Sequence, residues 1–410
     1  MESLIVQEFG VSLHKTSERV VVRGPRPHLE LLEGGPQLLL PMDLGASQVP
    51  DLKVIQGKKR MADGATAKDT GEPQGPAEAS SKEAEPPAGK TDSPKVPKQG
   101  PILTEVPFFR LSEIVIASGG VSLSTDLIEE CCDRGIRICF LTHGGKPYAM
   151  LSSPMLTATV ITRREQLSAF GDERGATIAR IIVEGKLRNQ ANLLKYFGKY
   201  LKAAHPPRFG RLMDAVAVIE SARSEVSRVP GATVDEARGG LLALEGRAGH
   251  AYWDGAGALL EGHVAFGGRE HRGATDEVNS ALNYGYGILY SQVWGAILNA
   301  GLEPFAGFLH VDRPGKPSLV LDFVEEFRQP VVDRAVIAGF TKGGAIRVQG
   351  GMLDEASKKA VANAVIERLD SEATFRGKRY RLRSIIQIQA RALATFLRRE
   401  GLYQTYAWKW

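Results

Sequence analysis

The chain has 410 residues, of which 43% are hydrophobic and 24% charged, and its formal net charge at pH 7 is +5. This length favours two domains and a linker over a single core, and the composition excludes a wholly disordered chain. No segment approaches the roughly 18 consecutive apolar residues that span a membrane, and the first ten residues do not resemble a secretion signal, so we expect a cytoplasmic protein. The small excess of basic residues permits a polyanionic partner without requiring one.

The first residues are predicted to begin a β domain. Apolar and polar residues alternate from Leu4 to Val22 around Gly10, which is typical of a short antiparallel meander. Between residues 57 and 100, Pro, Gly, Ala, Ser, Lys and Glu dominate and no aromatic residue occurs. Such a stretch cannot bury enough apolar surface to offset the entropy of ordering, so we predict a mostly disordered insertion over residues 24–101.

Order is expected to resume after the insertion. Residues 114–116 form an apolar run typical of a strand, residues 124–126 are typical of a helix start, and Gly135 is typical of that helix's end. Another buried strand is predicted directly after it. Residues 1–23 and 102–157 are thus predicted to form one N-terminal β domain, which the insertion interrupts.

Beyond Pro154 the apolar residues recur at helical spacing. Helical segments are predicted at residues 162–203, 208–228, 233–254, 276–300, 320–345, 354–370 and 384–400. Residues 158–410 are therefore predicted to form a helical domain. The expected fold class is α+β, with an N-terminal β domain containing one or two short helices, joined to a larger all-helical C-terminal domain.

The three cysteines indicate a reducing environment. Cys131 and Cys132 are adjacent, and Cys139 follows seven residues later. This spacing fits neither a disulfide framework nor paired zinc ligands. We predict buried thiols.

Two isolated polar residues stand out in the helical half. Glu245 lies in an apolar segment of small residues, where an acid is costly unless it is paired or bound to a metal. His310 ends another apolar run and precedes a loop. Taken alone, an acid such as Glu245 is more often capped or ion-paired than a metal ligand, and a histidine such as His310 is more often a structural residue held by hydrogen bonds.

A third segment is unusually acidic. Asp322, Glu325 and Glu326 fall at i, i+3 and i+4, which would place them on one helix face, opposite a buried apolar face. Like charges at this spacing repel, so the cluster favours a nearby cation, although a solvated surface face remains the alternative. Carboxylates with one imidazole suit Mg²⁺ or Mn²⁺ better than structural zinc, and phosphoryl transfer is the chemistry that this ligand set favours.

Four ordered blocks of sequence resemble the signature blocks of the CRISPR adaptation integrase family, a group of metal-dependent nuclease-integrases. They are residues 244–248, 276–286, 301–310 and 321–328. Weaker similarity extends to residues 185–190, to residues 112–141 and to the closing Tyr403 and Trp408. The resemblance therefore covers nearly everything outside the predicted insertion.

The resemblance implies a DNA endonuclease and integrase in which Glu245, His310 and Glu325 are catalytic metal ligands and Asp322 is an assisting acid. It implies Mg²⁺ or Mn²⁺ as the cofactor and no nucleotide fuel. It also implies a homodimer that joins a small ferredoxin-like partner dimer to hold double-stranded DNA. The 3′-hydroxyl ends of a DNA fragment would attack phosphodiesters at the boundary of the CRISPR repeat.

Several basic residues are candidates for DNA contact, because they recur beside tyrosines, cluster near the last helix or precede the second block. They are Lys186, Lys195, Lys199, Arg269, Arg272, Lys378, Arg379 and Arg381. Two other functions stay open at this point. One is a DNA-binding scaffold that has lost catalysis, and the other is a mobile-element integrase, which would be expected to carry an added DNA-reading domain.

Overall fold

The computed structural model describes residues 2–24, 100–151, 153, 160–270 and 273–409. The predicted disordered insertion at residues 24–101 lies almost entirely outside the described residues. The N-terminal strands and the helices that follow belong to one unit.

Eight strands build the described part of the N-terminal domain. They are β1 (Glu2–Val6), β2 (Ser12–Thr16), β3 (Arg19–Arg23), β4 (Ile102–Pro107), β5 (Leu111–Ile116), β6 (Ser122–Leu123), β7 (Arg137–Leu141) and β8 (Pro147–Leu151). One sheet has the order β1-β5-β7-β8, with parallel pairs except for antiparallel β7 and β8. The other has the order β4-β3-β2-β6, in which only β2 and β6 are parallel.

The predicted antiparallel meander is correct for β2 and β3 and wrong for β1. β1 leaves its neighbours and pairs in parallel with β5. Ile5 packs against the core of the helical domain, whereas Leu4 and Val6 pack against the core of the β domain. Both faces of β1 are therefore covered by apolar side chains, because the strand lies between the two cores.

The short helix α1 (Thr125–Asp133) agrees with its predicted start and end. Gly135 has a φ of +67°, the left-handed conformation that ends a helix at little cost for glycine. Cys131 and Cys139 are buried, Cys132 is half-buried, and none of the three, all in described segments, forms a disulfide. Burial raises the pKa of the Cys131 and Cys139 thiols to about 12, so both are inert thiols.

Helices dominate from residue 160 onward, as predicted. They are α2 (Val160–Ala169), α3 (Glu173–Ala204), α4 (Pro206–Glu225), α5 (Val234–Leu260), α6 (Glu277–Asn299), α7 (Ser318–Phe323), α8 (Arg334–Thr341), α9 (Glu355–Asp370) and α10 (Leu382–Leu397). The predicted helix at 162–203 is two helices, because Asp172 caps α3 by accepting a hydrogen bond of 2.9 Å from the Arg174 amide. Within the described helices, none is long and apolar enough to cross a bilayer.

The C-terminal domain is not purely helical as expected. It contains two hairpins, β9 (Val348–Gln349) with β10 (Met352–Leu353), and β11 (Glu372–Phe375) with β12 (Lys378–Arg381). Arg376 and Gly377 both have positive φ, the backbone conformation that closes a two-residue hairpin with the right twist. The dense basic stretch near the last helix thus lies largely on a β hairpin.

The acidic segment, which contains Asp322, Glu325 and Glu326, differs most from its predicted secondary structure. α7 ends at Phe323, a single 3₁₀ turn covers Val324–Glu326, and a π-helical turn covers Arg328–Asp333 before α8 begins. Pro330 lies inside the π turn and has no amide hydrogen for a regular helix. The predicted continuous helix is therefore wrong here, and so is the single acidic face, because the three acids point into different surroundings.

Candidate active site

A cavity of about 710 Å³ opens in the helical domain. Its wall is formed by one side of α3, the middle of α5, the loop before α6 and the acidic segment. The lining residues include Lys186, Gln190, Glu245, His250, Arg269, Tyr286, His310, Glu325 and Arg328. Three distant segments therefore bring the three predicted ligands Glu245, His310 and Glu325 to one cavity.

The two carboxylates of this cavity contact the same ammonium group. Lys186 lies on α3 and donates from Nζ to Glu245 on α5. The same Nζ lies 2.9 Å from Oε2 of Glu325. Because both acids contact one nitrogen, their oxygens lie only a few ångströms apart.

Glu325 is almost fully buried between two cations. Its Oε1 lies 2.9 Å from a guanidinium nitrogen of Arg328, and its Oε2 faces Lys186. Burial alone would raise the pKa of this carboxyl, but Arg328, Lys186 and His310 outweigh burial and lower its pKa to about 2. The carboxylate is therefore charged at any physiological pH.

Lys186 is also charged, for the complementary reason. Burial would lower the pKa of its ammonium, but Glu325 and Glu245 together raise that pKa. The residue is only 9% exposed. Breaking such a pair would leave a buried charge without compensation, so the lysine and its two acids act as a unit.

His310 is held by Asp322. The imidazole Nδ1 lies 2.7 Å from Oδ1 of Asp322, and the carboxylate also accepts the backbone amides of Phe308, Leu309 and His310 at 2.6–2.9 Å. An Nδ1–H that donates to a carboxylate leaves Nε2 with its lone pair available at the cavity. Asp322 is fully buried and does not line the cavity, so its role is to position His310.

Glu326 faces away from the cavity, toward the C-terminal tail. It accepts hydrogen bonds from the Tyr403 hydroxyl, from the Tyr406 amide at 2.9 Å and from the Gln389 amide group at 2.9 Å. Burial raises its pKa to about 7, because these donors only partly offset the loss of water. The alternative of a solvated acidic face is wrong for all three acids, none of which is more than 1% exposed.

The donor set suits a divalent ion chemically, but the three side chains are not arranged around a single ion. Two carboxylates and an imidazole nitrogen are the donors that Mg²⁺ and Mn²⁺ accept, and Oε2 of Glu325 is buried without a hydrogen bond. Among the described residues, however, no three His, Cys, Asp or Glu side chains lie close enough together to hold an ion. The Lys186 ammonium lies between the two carboxylates instead.

Comparison with known proteins defines the family. Residues 90–367 match the family described as CRISPR associated protein Cas1. The chain belongs to this family. A CRISPR-associated endonuclease Cas1 of Archaeoglobus fulgidus is 34% identical over 327 residues, which cover 77% of this chain and 94% of that protein. Another from Francisella tularensis subsp. novicida is also 34% identical, with coverage of 74% and 90%.

Solved structures share the fold at low sequence identity. A Cas1 protein from Thermotoga maritima gives a TM-score of 0.63 at 17% identity, with 99% of this chain and all of that chain covered. A casposase bound to integration product gives 0.68 at 18% identity, covering 99% and 93%. One chain of a Cas6-RT-Cas1–Cas2 complex gives 0.64 at 16% identity, covering 99% of this chain and 36% of that one.

The predicted DNA contacts of this Cas1-family chain fall in different places. Lys186 is buried against Glu245 and Glu325 and is not part of an exposed basic surface. Arg269 lines the cavity and lies over the rings of Trp253 and Tyr286 at 5.9 and 5.4 Å. Arg272 lies outside the described residues.

The remaining candidates are on outer surfaces. Lys195 forms an ion pair of 2.7 Å with Glu220, and Lys199 lies over two tyrosine rings of the same helix. Lys378, Arg379 and Arg381 are exposed on β12, where Arg379 pairs with Glu372 at 2.9 Å. Their contact with DNA stays a prediction.

Sequence reasoning missed the partners that define the site. Lys186 was predicted to contact DNA, and neither Arg328 nor His250, which both line the cavity, was predicted to belong to the site. A usable signal existed: residues 184–190 carry a polar run inside an otherwise apolar helix, and such a run is costly unless it faces a polar site.

Proposed function

We propose that this chain is a metal-dependent DNA endonuclease and strand-transfer enzyme of CRISPR spacer acquisition. Its membership of the Cas1 family and the endonuclease names of its relatives support the general class. One observation carries the finer assignment: Glu245 and Glu325, from distant segments, contact a single buried ammonium in a cavity that His310 also lines.

The proposed reaction is a transesterification. The 3′-hydroxyl oxygen of a DNA fragment attacks a phosphodiester at the CRISPR repeat boundary, and a new phosphorus–oxygen bond forms. The attacking hydroxyl gives up its proton, the bond from that phosphorus to its former 3′ oxygen breaks, and the leaving oxygen takes up a proton, so one hydroxyl replaces the other. The number of phosphodiesters is unchanged, so no nucleotide fuel is required.

Glu245, Glu325 and Nε2 of His310 are proposed to hold Mg²⁺ or Mn²⁺. When bound, such an ion would polarise the scissile phosphate and stabilise negative charge on the attacking and leaving oxygens. Asp322 keeps the imidazole oriented with Nε2 toward the cavity.

Two arginines are proposed to bind the phosphate. Arg328 lies between Glu325 and the Tyr290 hydroxyl, to which it donates at 2.7 Å. Arg269 donates 2.9 Å and 2.6 Å hydrogen bonds to Asn279 and Asn283. Fixed guanidinium groups suit phosphate oxygens because their donors form a rigid fork.

The proposed assembly is a homodimer that binds double-stranded DNA together with a small ferredoxin-like partner dimer. The fold shared with one chain of a Cas6-RT-Cas1–Cas2 complex supports such a partner. The exposed basic residues Lys199, Lys378, Arg379 and Arg381 are the proposed contacts with the phosphate backbone.

The test is strand joining on a plasmid that carries a repeat, with each of Glu245→Ala, His310→Ala and Glu325→Ala. We expect each variant to lose joining by at least about a hundredfold while DNA binding stays largely intact. Glu225→Ala is the matched control, because Glu225 pairs with Arg247 at 2.6 Å outside the cavity. Normal joining by all three variants would show that Glu245, His310 and Glu325 are not the catalytic residues.

A further inference from the structure

The ammonium of Lys186 lies between the carboxylates of Glu245 and Glu325, where the proposed metal ion would also lie. It contacts Glu245 on α5 and lies 2.9 Å from Oε2 of Glu325. That same Oε2 is buried, and the charged group that contacts it is the Lys186 ammonium. The lysine and a metal ion would therefore compete for the same oxygen.

The charges in this cluster already balance. Glu245 and Glu325 contribute two negative charges, and Lys186 and Arg328 contribute two positive charges at neutral pH. A divalent ion added beside an unmoved ammonium would leave an excess of positive charge among these directly contacting groups. Such an excess is costly where water is scarce.

The side chain of Lys186 has room to move away from the two acids. Its side chain lines the cavity of about 710 Å³, and its four-carbon stem is flexible. Arg328 is more restricted, because it is also held by Tyr290 and lies over the ring of Tyr286 at 5.0 Å. Lys186 is therefore the cation that can move.

We propose that Lys186 is an internal counter-cation, which holds Glu245 and Glu325 together before metal binds and swings into the cavity when a divalent ion takes its place. This inference rests on the proposed metal site. In it, Lys186 stabilises the metal-free protein and weakens its affinity for the metal.

The test uses calorimetric titration of Mn²⁺ into the metal-free, full-length protein. Lys186→Met removes the charge but keeps an unbranched side chain, and we expect Mn²⁺ to bind at least about tenfold more tightly, because the competing cation is gone. The melting temperature of the metal-free variant should fall by several degrees, because two close acids lose their counter-charge. Lys186→Arg retains the positive charge and should bind Mn²⁺ as weakly as the unaltered protein.

Lys358 offers a matched control. It is 6% exposed, lies on α9 outside the cavity and pairs with one acid, Glu355, at 2.6 Å. Lys358→Met should leave Mn²⁺ affinity unchanged. Unchanged or weaker Mn²⁺ binding by folded Lys186→Met would overturn the inference, since a merely structural lysine lowers stability without strengthening metal binding.

A second measurement covers the case in which Lys186→Met does not fold. Reductive methylation of the unaltered protein, followed by mass spectrometry, reports the accessibility of each lysine. Saturating Mg²⁺ should increase the modification of Lys186 at least about threefold relative to Lys358, because displacement exposes the ammonium. Unchanged protection of Lys186 would overturn the inference.

The two proposals fail differently. If the unaltered protein binds Mn²⁺ and Glu325→Ala does not, the metal site stands, and only the behaviour of Lys186 is in question. If the unaltered protein and Glu325→Ala give the same titration, the metal site falls and the inference falls with it.

Discussion

The turn Val324–Glu326 separates two buried polar clusters that differ in charge. On the cavity side, Glu325 lies between Lys186 and Arg328, and these cations, with His310, hold its pKa near 2 although burial acts in the opposite direction. This cluster is a set of full charges, arranged beside an opening to solvent.

On the tail side, Glu326 meets only neutral groups. Its partners are the Tyr403 hydroxyl, the Tyr406 amide and the Gln389 side chain, and burial raises its pKa to about 7. The C-terminal tail is held further, since Asn189 donates to the Tyr406 carbonyl at 2.8 Å. This cluster fastens the C-terminus to α3.

Adjacent carboxyl groups of equal burial thus differ by about five pKa units, from about 2 to about 7. Burial is common to both, so the charge of the neighbours makes the difference. A buried acid beside cations is poised to hold an ion, whereas a buried acid beside neutral donors serves as a structural fastening. Changes on the two sides of the turn should therefore have separable effects.

The largest effect is expected on how the free energy of unfolding changes with pH. Between pH 4.5 and about 7 the unfolded chain releases the Glu326 proton while the folded chain keeps it, so the free energy of unfolding falls as pH rises through this window. Glu326→Gln removes that loss. The stability of Glu326→Gln relative to the unaltered protein should therefore rise by about 3 kcal/mol between pH 4 and pH 8, measured by urea unfolding.

Glutamine suits this position because its amide can donate to the Tyr403 oxygen while its carbonyl accepts from Tyr406 and Gln389. Glu326→Gln should join DNA strands at a rate near that of the unaltered protein. A flat stability difference across this pH range would mean that Glu326 is ionised like Glu325, and the contrast between the two sides would be lost.

A smaller effect is expected at Asp322, which reaches the cavity only through His310. In Asp322→Asn the amide hydrogens would face backbone amides, and the imidazole would lose its orienting acceptor. Mn²⁺ affinity should fall by about 10- to 100-fold in calorimetric titration.

Glu326→Gln, the same chemical change on the tail side, is the control and should leave Mn²⁺ affinity unchanged. Equal losses of Mn²⁺ affinity in the two variants would show that a change on the tail side of the turn also alters the metal site. The separation of the two clusters would then be wrong.

The smallest effect is expected at Tyr403, which donates to Glu326 and does not line the cavity. Tyr403→Phe removes one buried hydrogen bond and should lower the free energy of unfolding by about 1–2 kcal/mol, with no change in Mn²⁺ affinity. Thermal unfolding and metal titration on the same samples check both parts. A drop in Mn²⁺ affinity would connect the tail to the metal site.

Several features were predictable from sequence for local reasons. The bounds of α4, α6, α9 and α10 lie within three residues of those predicted, because helical hydrogen bonds and apolar periodicity operate within one segment. The segments that line the cavity were marked by polar residues in apolar runs. The sheet partner of β1 was not predictable in this way, since it depends on which cores cover its two faces.

The sequence by itself determined the helical and strand segments, the motif blocks and the carboxylate and imidazole donors that those blocks contain. Only the tertiary structure decided that Lys186 from α3 lies between Glu245 and Glu325, that Asp322 serves His310, and that Glu326 serves the tail. The reason is that a charge interacts through space. Its partners come from segments far apart along the chain, and a change of direction at one 3₁₀ turn sends neighbouring acids into opposite surroundings.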